Sequence, residues 1–362
     1  MKNYRKFAVL FIALLFISGG FYGLNYSNAQ QLPPSPAVQK NSSPKPTPPP
    51  DEEEVIKVDT EVVNVLFTAQ DKSRRLVTDL KQQDIRLIED GQIQEITYFG
   101  RQVDLPLSLA ILIDTSASQE RTLPEEKDAA KAFIQSVIRP AKDEVSIVSF
   151  TGETTLEQGM TNNVARLSRA VDRVQFVPPS GYIGGGVVAG GTPPISGTNQ
   201  ATQGSTAIWD AIWVTSEEVL KLSPDKTRRA IILLTDGINT YGTKKLDDAV
   251  LAAQRNEAII YAIGIGDNFY DGVDEGALKK TSERTGGRAF FPRNESELRQ
   301  AFKQIQEEMR SQYLIAYEPS NQKRDGSYRK IEIQTTNPEL AKQKVTLTHR
   351  QGYFAKTEAN NK

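Results

Sequence analysis

The sequence predicts an α/β fold: a doubly wound, mostly parallel sheet inserted between N- and C-terminal β segments that can close into one β-sandwich. Three observations carry this. Four continuous apolar runs, Leu107–Ile113, Val145–Phe150, Ala230–Leu234 and Ile259–Ile265, have the hydrophobicity of strands covered on both faces. Between and after them lie stretches of helical spacing: Ala130, Phe133, Ile134 and Val137; Ile208, Ala211, Ile212 and Val219; and Leu298, Phe302, Ile305 and Met309. Alternating strand and helix builds a parallel sheet, whereas the flanks show only short strand-like runs and turn signals.

In chain order, Lys2, Arg5 and Lys6 precede an apolar run from Phe7 to Ile17, and Ser27-Asn28-Ala29 places small residues before Gln30. Residues 1–29 therefore read as a secretory signal peptide cleaved after Ala29. Continued through Leu24, the same run would instead be an uncleaved anchor. Residues 30–54 form a Pro-rich spacer with Pro44, Pro46 and Pro48 to Pro50, unable to make a helix or a ladder, and closed by the acidic run 51–54.

The N-terminal β segment, 55–104, holds Val58, Val62, Val63, Val65 and Phe67 in one strand-like run. Ile85-Arg86-Leu87-Ile88 then leads to Glu89-Asp90-Gly91. Asp90-Gly91 is a hairpin signal, with Ile93 to Phe99 as the return strand. Three strands bury too little to stand alone and need partners from elsewhere. The α/β domain spans 105–312. Within it, residues 178–203 are rich in Gly and Pro and deliver the chain to Thr206, either shaping partner choice there or forming an inert insertion. The C-terminal β segment, 313–356, comprises Tyr313–Tyr317, Arg329–Thr335, Lys344–His349 and Tyr353-Phe354, and residues 357–362 form a tail.

Composition removes much chemistry. With 44 Lys+Arg against 45 Asp+Glu in 362 residues, no basic excess points to nucleic acid. The absence of Cys excludes disulfides, iron–sulfur clusters and thiolate sites. A secreted chain without disulfides suits a bacterial envelope, periplasmic, cell-surface or extracellular, and no membrane span is expected in the mature chain. His349 is the single His, so a multi-histidine metal site is excluded too.

In an open doubly wound sheet, ligands bind at the carboxyl ends of the strands. Three segments should converge there: Asp114-Thr115-Ser116-Ala117-Ser118 after the first strand, Gly204-Ser205-Thr206 before a helix, and Thr235-Asp236-Gly237 after the Ala230–Leu234 strand. They offer two carboxylates and three hydroxyls, hard oxygen donors suited to Mg²⁺, Mn²⁺ or Ca²⁺. Such a set leaves a divalent ion coordinatively unfinished, and an acidic group from a partner could complete it. Each segment also fits a plain helix cap, but the three together at the right junctions favour a metal site.

Asp-x-Ser-x-Ser at 114–118, Thr206 before a helix and Asp236 in Leu-Leu-Thr-Asp-Gly resemble the metal-ion-dependent adhesion site of von Willebrand factor A domains, over roughly 105–312. The resemblance implies that Ser116, Ser118 and Thr206 contact the ion, with Asp114 and Asp236 close by, often through water. Glu89-Asp90-Gly91 and Arg350-Gln351-Gly352-Tyr353-Phe354 are similar to a secreted, acidobacterial-type bacterial family with a von Willebrand A-related domain. The expected function is metal-dependent protein–protein recognition or adhesion, with Mg²⁺ first among the ions and a partner Asp or Glu as ligand. The alternative is a structural or assembly component of the envelope whose metal only stabilises the rim.

No enzyme is expected. Asp114 has Ser116 where a phosphotransferase would carry a second Asp, His349 lies in a polar C-terminal strand, and no Gly-x-Ser-x-Gly elbow occurs. Gly264-Ile265-Gly266 lacks the third Gly of a dinucleotide loop and reads as a tight strand-end turn. Trp209 and Trp213 read as packing residues.

Overall fold

The computed structural model describes residues 62–102, 104–178, 204–224, 227–266 and 272–357, all within one unit, Val58–Lys362. The signal peptide expected at 1–29, the spacer at 30–54, nearly all of the stretch 178–203 and the tail after 357 lie outside the described residues.

The N-terminal segment forms β1 (Val63–Gln70), β2 (Ile85–Glu89), β3 (Gln92–Gln94) and β4 (Ile96–Gln102). The middle of the chain follows as β5 (Leu107–Asp114), α1 (Leu123–Val137), β6 (Glu144–Phe150), β7 (Thr154–Thr161), α2 (Val164–Arg173), α3 (Ile208–Val214) and β8 (Arg228–Thr235). It continues through α4 (Leu246–Arg255), β9 (Ala258–Gly264), α5 (Glu275–Thr285), β10 (Ala289–Phe290) and α6 (Glu295–Arg310). The C-terminal segment supplies β11 (Gln312–Tyr317), β12 (Tyr328–Thr335), α7 (Pro338–Lys342), β13 (Thr346–His349) and β14 (Gly352–Phe354).

The central sheet has the order β10-β9-β8-β5-β6-β7, parallel throughout except for β7, which runs antiparallel to β6. Every residue of β5 is buried, as the continuous apolar run required. Its alternate side chains feed two cores. Leu109, Ile111 and Ile113 pack with α1, α2 and α6, whereas Ala110 and Leu112 pack with α3, α4 and α5. Strand β5 is flanked by β6 and β8, so the chain order reverses at its edge and opens a crevice at the carboxyl ends of β5 and β8.

The two termini of the folded unit interleave in two antiparallel sheets, β13-β1-β11-β4 and β14-β12-β2-β3. They share one core of Val65, Phe67, Leu87, Tyr313, Ile315, Ile331 and neighbours, which is the sandwich arrangement expected. Gln102 and Gln312 are register partners on β4 and β11, so the chain leaves for the parallel sheet and returns from it at one point.

Four details differ from expectation. The return strand Ile93–Phe99 is broken at Glu95: β3 pairs with β2 in one sheet and β4 with β11 in the other. Strand β7, polar and largely half-exposed as an edge strand can be, carried no apolar run to announce it. Helix α7 is a short capped turn begun by Asn337-Pro338. The strand expected from Lys344 starts at Thr346, because Lys344 takes a left-handed backbone (φ 53°). The Asp90-Gly91 turn is as expected, both residues having positive φ (46° and 83°), the conformation of a type I′ hairpin.

Candidate metal centre

Strand β5 ends at Asp114, wholly buried. The Ser116 N–H donates to Asp114 Oδ1 at 2.9 Å, curling the chain out of the strand, and a short 3₁₀ turn at 117–119 follows. This turn brings Ser116 Oγ and Ser118 Oγ within 3.3 Å of each other. Register pairs Ile113 with Leu234, which sets Thr235 beside Asp114, and the Thr235 hydroxyl donates to Asp114 Oδ2 at 2.5 Å.

One residue further on, Asp236 accepts from the Ile238 N–H at 2.9 Å and from the Ser118 and Gln119 side chains. Gly237 (φ +85°) lets the chain turn there; a Cβ would meet Leu278 Cγ at 2.8 Å. Gln119 is itself held, donating to the Ile265 carbonyl at 3.2 Å and accepting from Thr122 Oγ1 at 2.8 Å.

The third loop is tied in by its backbone. The Thr206 N–H donates to Thr240 Oγ1 at 2.8 Å, and its carbonyl accepts from the Thr240 and Tyr241 N–H groups. Ala207 N–H reaches the Thr151 carbonyl at the end of β6, where Phe150 O in turn accepts from Thr115 N–H. The structure thus places all five expected residues on one rim. Asp114, Ser116, Ser118 and Asp236 are joined through side-chain contacts, whereas Thr206 is held through its backbone.

The electrostatics are unfavourable for two bare carboxylates. Burial pushes Asp114 up to about 7, with the Asp236 charge adding to it and hydrogen bonds from Ser116 and Thr235 opposing it. Asp236 is also raised, chiefly by burial. No Lys or Arg figures among the groups that most influence either one. Among the described residues no three His, Cys, Asp or Glu side chains converge as a ligand group, so an ion here would rely on the hydroxyls. Two buried, mutually repelling carboxylates beside clustered hydroxyls fit a hard divalent cation.

Glu126 was not anticipated. It lies in the first turn of α1, wholly buried, and neither carboxylate oxygen has a hydrogen-bond partner. The nearby Thr122 hydroxyl gives its hydrogen bond to Gln119 instead. Burial, with Asp114 and Asp236 adding repulsion and the neighbouring Thr122 hydroxyl opposing them, pushes Glu126 up to about 8, which favours its protonated form at neutral pH. Its signal was the spacing Glu126, Ala130, Phe133, Val137, which puts a carboxyl on the apolar stripe.

The other sites behave as packing. His349 has both ring nitrogens engaged, Nε2 accepting from Ile333 N–H at 3.2 Å and Nδ1 lying 2.8 Å from the Arg350 carbonyl. Gly264 and Gly266 admit close neighbours, Phe291 Cδ1 at 2.6 Å and the Gly272 carbonyl at 2.8 Å from an added Cβ. Trp209 is buried in the core, and Lys244 Nζ sits 4.2 Å over the half-buried Trp213 ring.

Two profiles described as von Willebrand factor type A domain match, one over residues 109–239 and the other over 194–304. No curated protein matches. Similar solved structures include proximal thread matrix protein 1 from the mussel byssus, at 19% identity and a TM-score of 0.46, covering 61% of this chain and 51% of that one. The chain therefore spans about half the length of the mussel protein, another structure of which has a zinc-occupied MIDAS motif. A von Willebrand factor type A structure from Catenulispora acidiphila is 13% identical (TM-score 0.45; 84% of this chain, 76% of that one). An aerotolerance-related membrane protein from Bacteroides fragilis is 16% identical (TM-score 0.41; 56% and 98%). The two profile matches together run from the start of β5 to the middle of α6, across all three loops of the rim, and the chain belongs to the von Willebrand factor type A domain family.

Proposed function

We propose that this protein is a metal-ion-dependent recognition module of the bacterial cell envelope, binding an acidic group of a partner protein. The observation that carries the reading is the pairing of buried Asp114 and Asp236 with the Ser116 and Ser118 hydroxyls, with no Lys or Arg among the main influences on either carboxylate in the described residues. In this reading Ser116, Ser118 and Thr206 hold a divalent cation, Mg²⁺ first and Mn²⁺ or Ca²⁺ as alternatives, while Asp114 and Asp236 supply the countercharge. When bound, the cation offers a Lewis-acidic point charge that a partner Asp or Glu can ligate. Thr235 and Gln119 orient the rim by holding Asp114, Ser118 and Asp236. The work is adhesion without turnover, as in the family, whose members mediate metal-dependent adhesion. Among the described residues no helix is long and apolar enough to cross a membrane. The signal-like segment at 1–29 and the Pro-rich spacer at 30–54 support export and stand-off from a surface.

A second reading, a structural envelope component whose ion only stabilises the rim, draws on the depth of the carboxylates, 0% exposed at Asp114 and 2% at Asp236. Envelope proteins retained on immobilised protein in Mg²⁺, with chelator and with Asp236→Ala, separate the two. Retention lost in both conditions supports recognition. Retention unchanged by chelator, together with a lower melting temperature, supports the structural role.

A further inference from the structure

At the opposite end of the central sheet from the candidate ion site, a cavity of about 310 Å³ opens between the amino ends of the parallel strands and the outer face of the β1–β11 pair. Asn64 and Leu66 of β1 and Leu314 of β11 line it from one side, and Leu105, Arg228 and Ile259 from the other. The exposed wall is largely apolar by area, as in ligand cavities of a few hundred Å³, with polar groups set into it that include Arg228, Gln254, Arg350 and the Glu257 carboxylate.

One of these groups is out of balance. Arg228, the first residue of β8, is only 2% exposed, yet no carboxylate pairs with it among the described residues. A terminal nitrogen donates to the Gln102 carbonyl at 3.3 Å, and its Nε has no partner. Burial is the main influence on it and lowers its pKa to about 10; the Tyr261 phenol opposes this, and Arg310 and Arg139, both of its own sign, add to it. Arg310 and Arg139 have their own counter-ion in Asp143. A buried guanidinium without a counter-ion is costly, and native structures pair such charges or leave them for a ligand.

The second guanidinium on the cavity wall differs. Arg350 donates to the Asn64 carbonyl at 2.7 Å and lies 3.8 Å from the exposed Glu257 carboxylate, although its Nε is also unpartnered. Its charge is met in part, so among the described residues the cavity carries close to one positive charge without a paired carboxylate, beside an apolar wall.

We propose that this cavity binds a small monocarboxylate bearing a hydrocarbon chain, its carboxylate paired with Arg228 and its chain laid against Leu66, Leu105, Ile259 and Leu314. A single anionic charge matches the single uncompensated guanidinium, whose planar fork suits a carboxylate. A phosphate dianion would bring more charge and more acceptor atoms than the wall supplies. Because the cavity is walled by both layers, the ligand bridges the sandwich to the parallel sheet and binds the folded state alone.

Calorimetric titration and melting of the full chain with hexanoate test this, beside hexanol, which has the chain without the charge, and inorganic phosphate, which has charge without the chain. Hexanoate is expected to bind one to one and raise the melting temperature saturably, and hexanol and phosphate to do neither. Arg228→Met is expected to fold with an unchanged or higher melting temperature, since it removes an unpaired buried charge, and to bind hexanoate at least tenfold more weakly. Leu66→Trp fills the cavity from the β1 side and keeps the Arg228 guanidinium, so it keeps the test decisive should Arg228→Met not fold, and it too should lose binding. No hexanoate binding, equal binding of hexanol or of phosphate, or full hexanoate affinity in either variant overturns the proposal.

Discussion

Asp114 illustrates how much of the site lies in single residues and how much in what surrounds them. Its position is legible from sequence, because Asp-x-Ser-x-Ser follows a fully apolar strand in a sheet that must expose its carboxyl end. Its orientation is not, since that depends on the Thr235 hydroxyl, brought alongside by the β5–β8 register. Thr235→Val should therefore fold normally and weaken divalent-ion binding by roughly 10–100-fold, as loss of an outer partner of a metal ligand does; ion titration by calorimetry checks it, and unchanged affinity would make Thr235 a packing residue only. Glu126 was hidden for the opposite reason. Acidic residues in a first helical turn ordinarily serve the helix dipole, and only its place on the buried stripe of α1 marks it as different.

Among the elements, α6 was plain in the sequence, with Leu298, Phe302, Ile305 and Met309 all buried as their spacing required. Phe302 meets Phe133 of α1 at a ring separation of 4.8 Å, so Phe302→Ala should cost about 3–5 kcal/mol in a denaturant melt. The far end of α6 is fixed by Asp143, which accepts from Arg139 and Arg310 and from the Leu107 and Arg139 N–H groups. Burial alone would raise this carboxyl, but those hydrogen bonds outweigh it and hold it at about 2, below its ordinary 3.8. A depressed folded pKa stabilises above the unfolded value and is lost as pH falls through the folded one. Asp143 should thus contribute about 2 kcal/mol at neutral pH, fading between about pH 4 and pH 2. Melts of Asp143→Asn against the parent should differ at pH 7 and converge near pH 2; a difference independent of pH would contradict this. The elements that sequence reasoning missed, β7 and the sheet change at Glu95, are edge and junction features whose conformation is imposed by neighbours rather than by local pattern.

At the scale of the whole molecule, pairing of the two chain ends could be argued from sequence only as the economical way to complete three lone strands. Its physical basis is the shared core, together with a buried polar cluster where Glu89 of β2 accepts from Tyr317 at 2.5 Å and Tyr353 at 3.0 Å and lies 3.5 Å from Arg329. Glu89 and Arg329 are 2% and 1% exposed, so the pair is worth most as a unit. Glu89→Ala removes the buried carboxylate beside the Arg329 charge, which keeps the Asn321 and Lys323 carbonyls, and should cost about 3–5 kcal/mol, read as a lower denaturation midpoint. A cost under about 1 kcal/mol, the worth of an ordinary surface pair, would show that the cluster is not what joins the two ends.

The central claim, a divalent-ion site at the rim of the parallel sheet, is tested most directly by melting residues 30–362 with Mg²⁺, Mn²⁺ and Ca²⁺ beside Asp114→Ala. An ion at a hundred times its dissociation constant adds about 2.7 kcal/mol to the folded state. The account expects the parent to be stabilised and Asp114→Ala to stay folded without responding. No response from either protein, or an equal response from both, would contradict it.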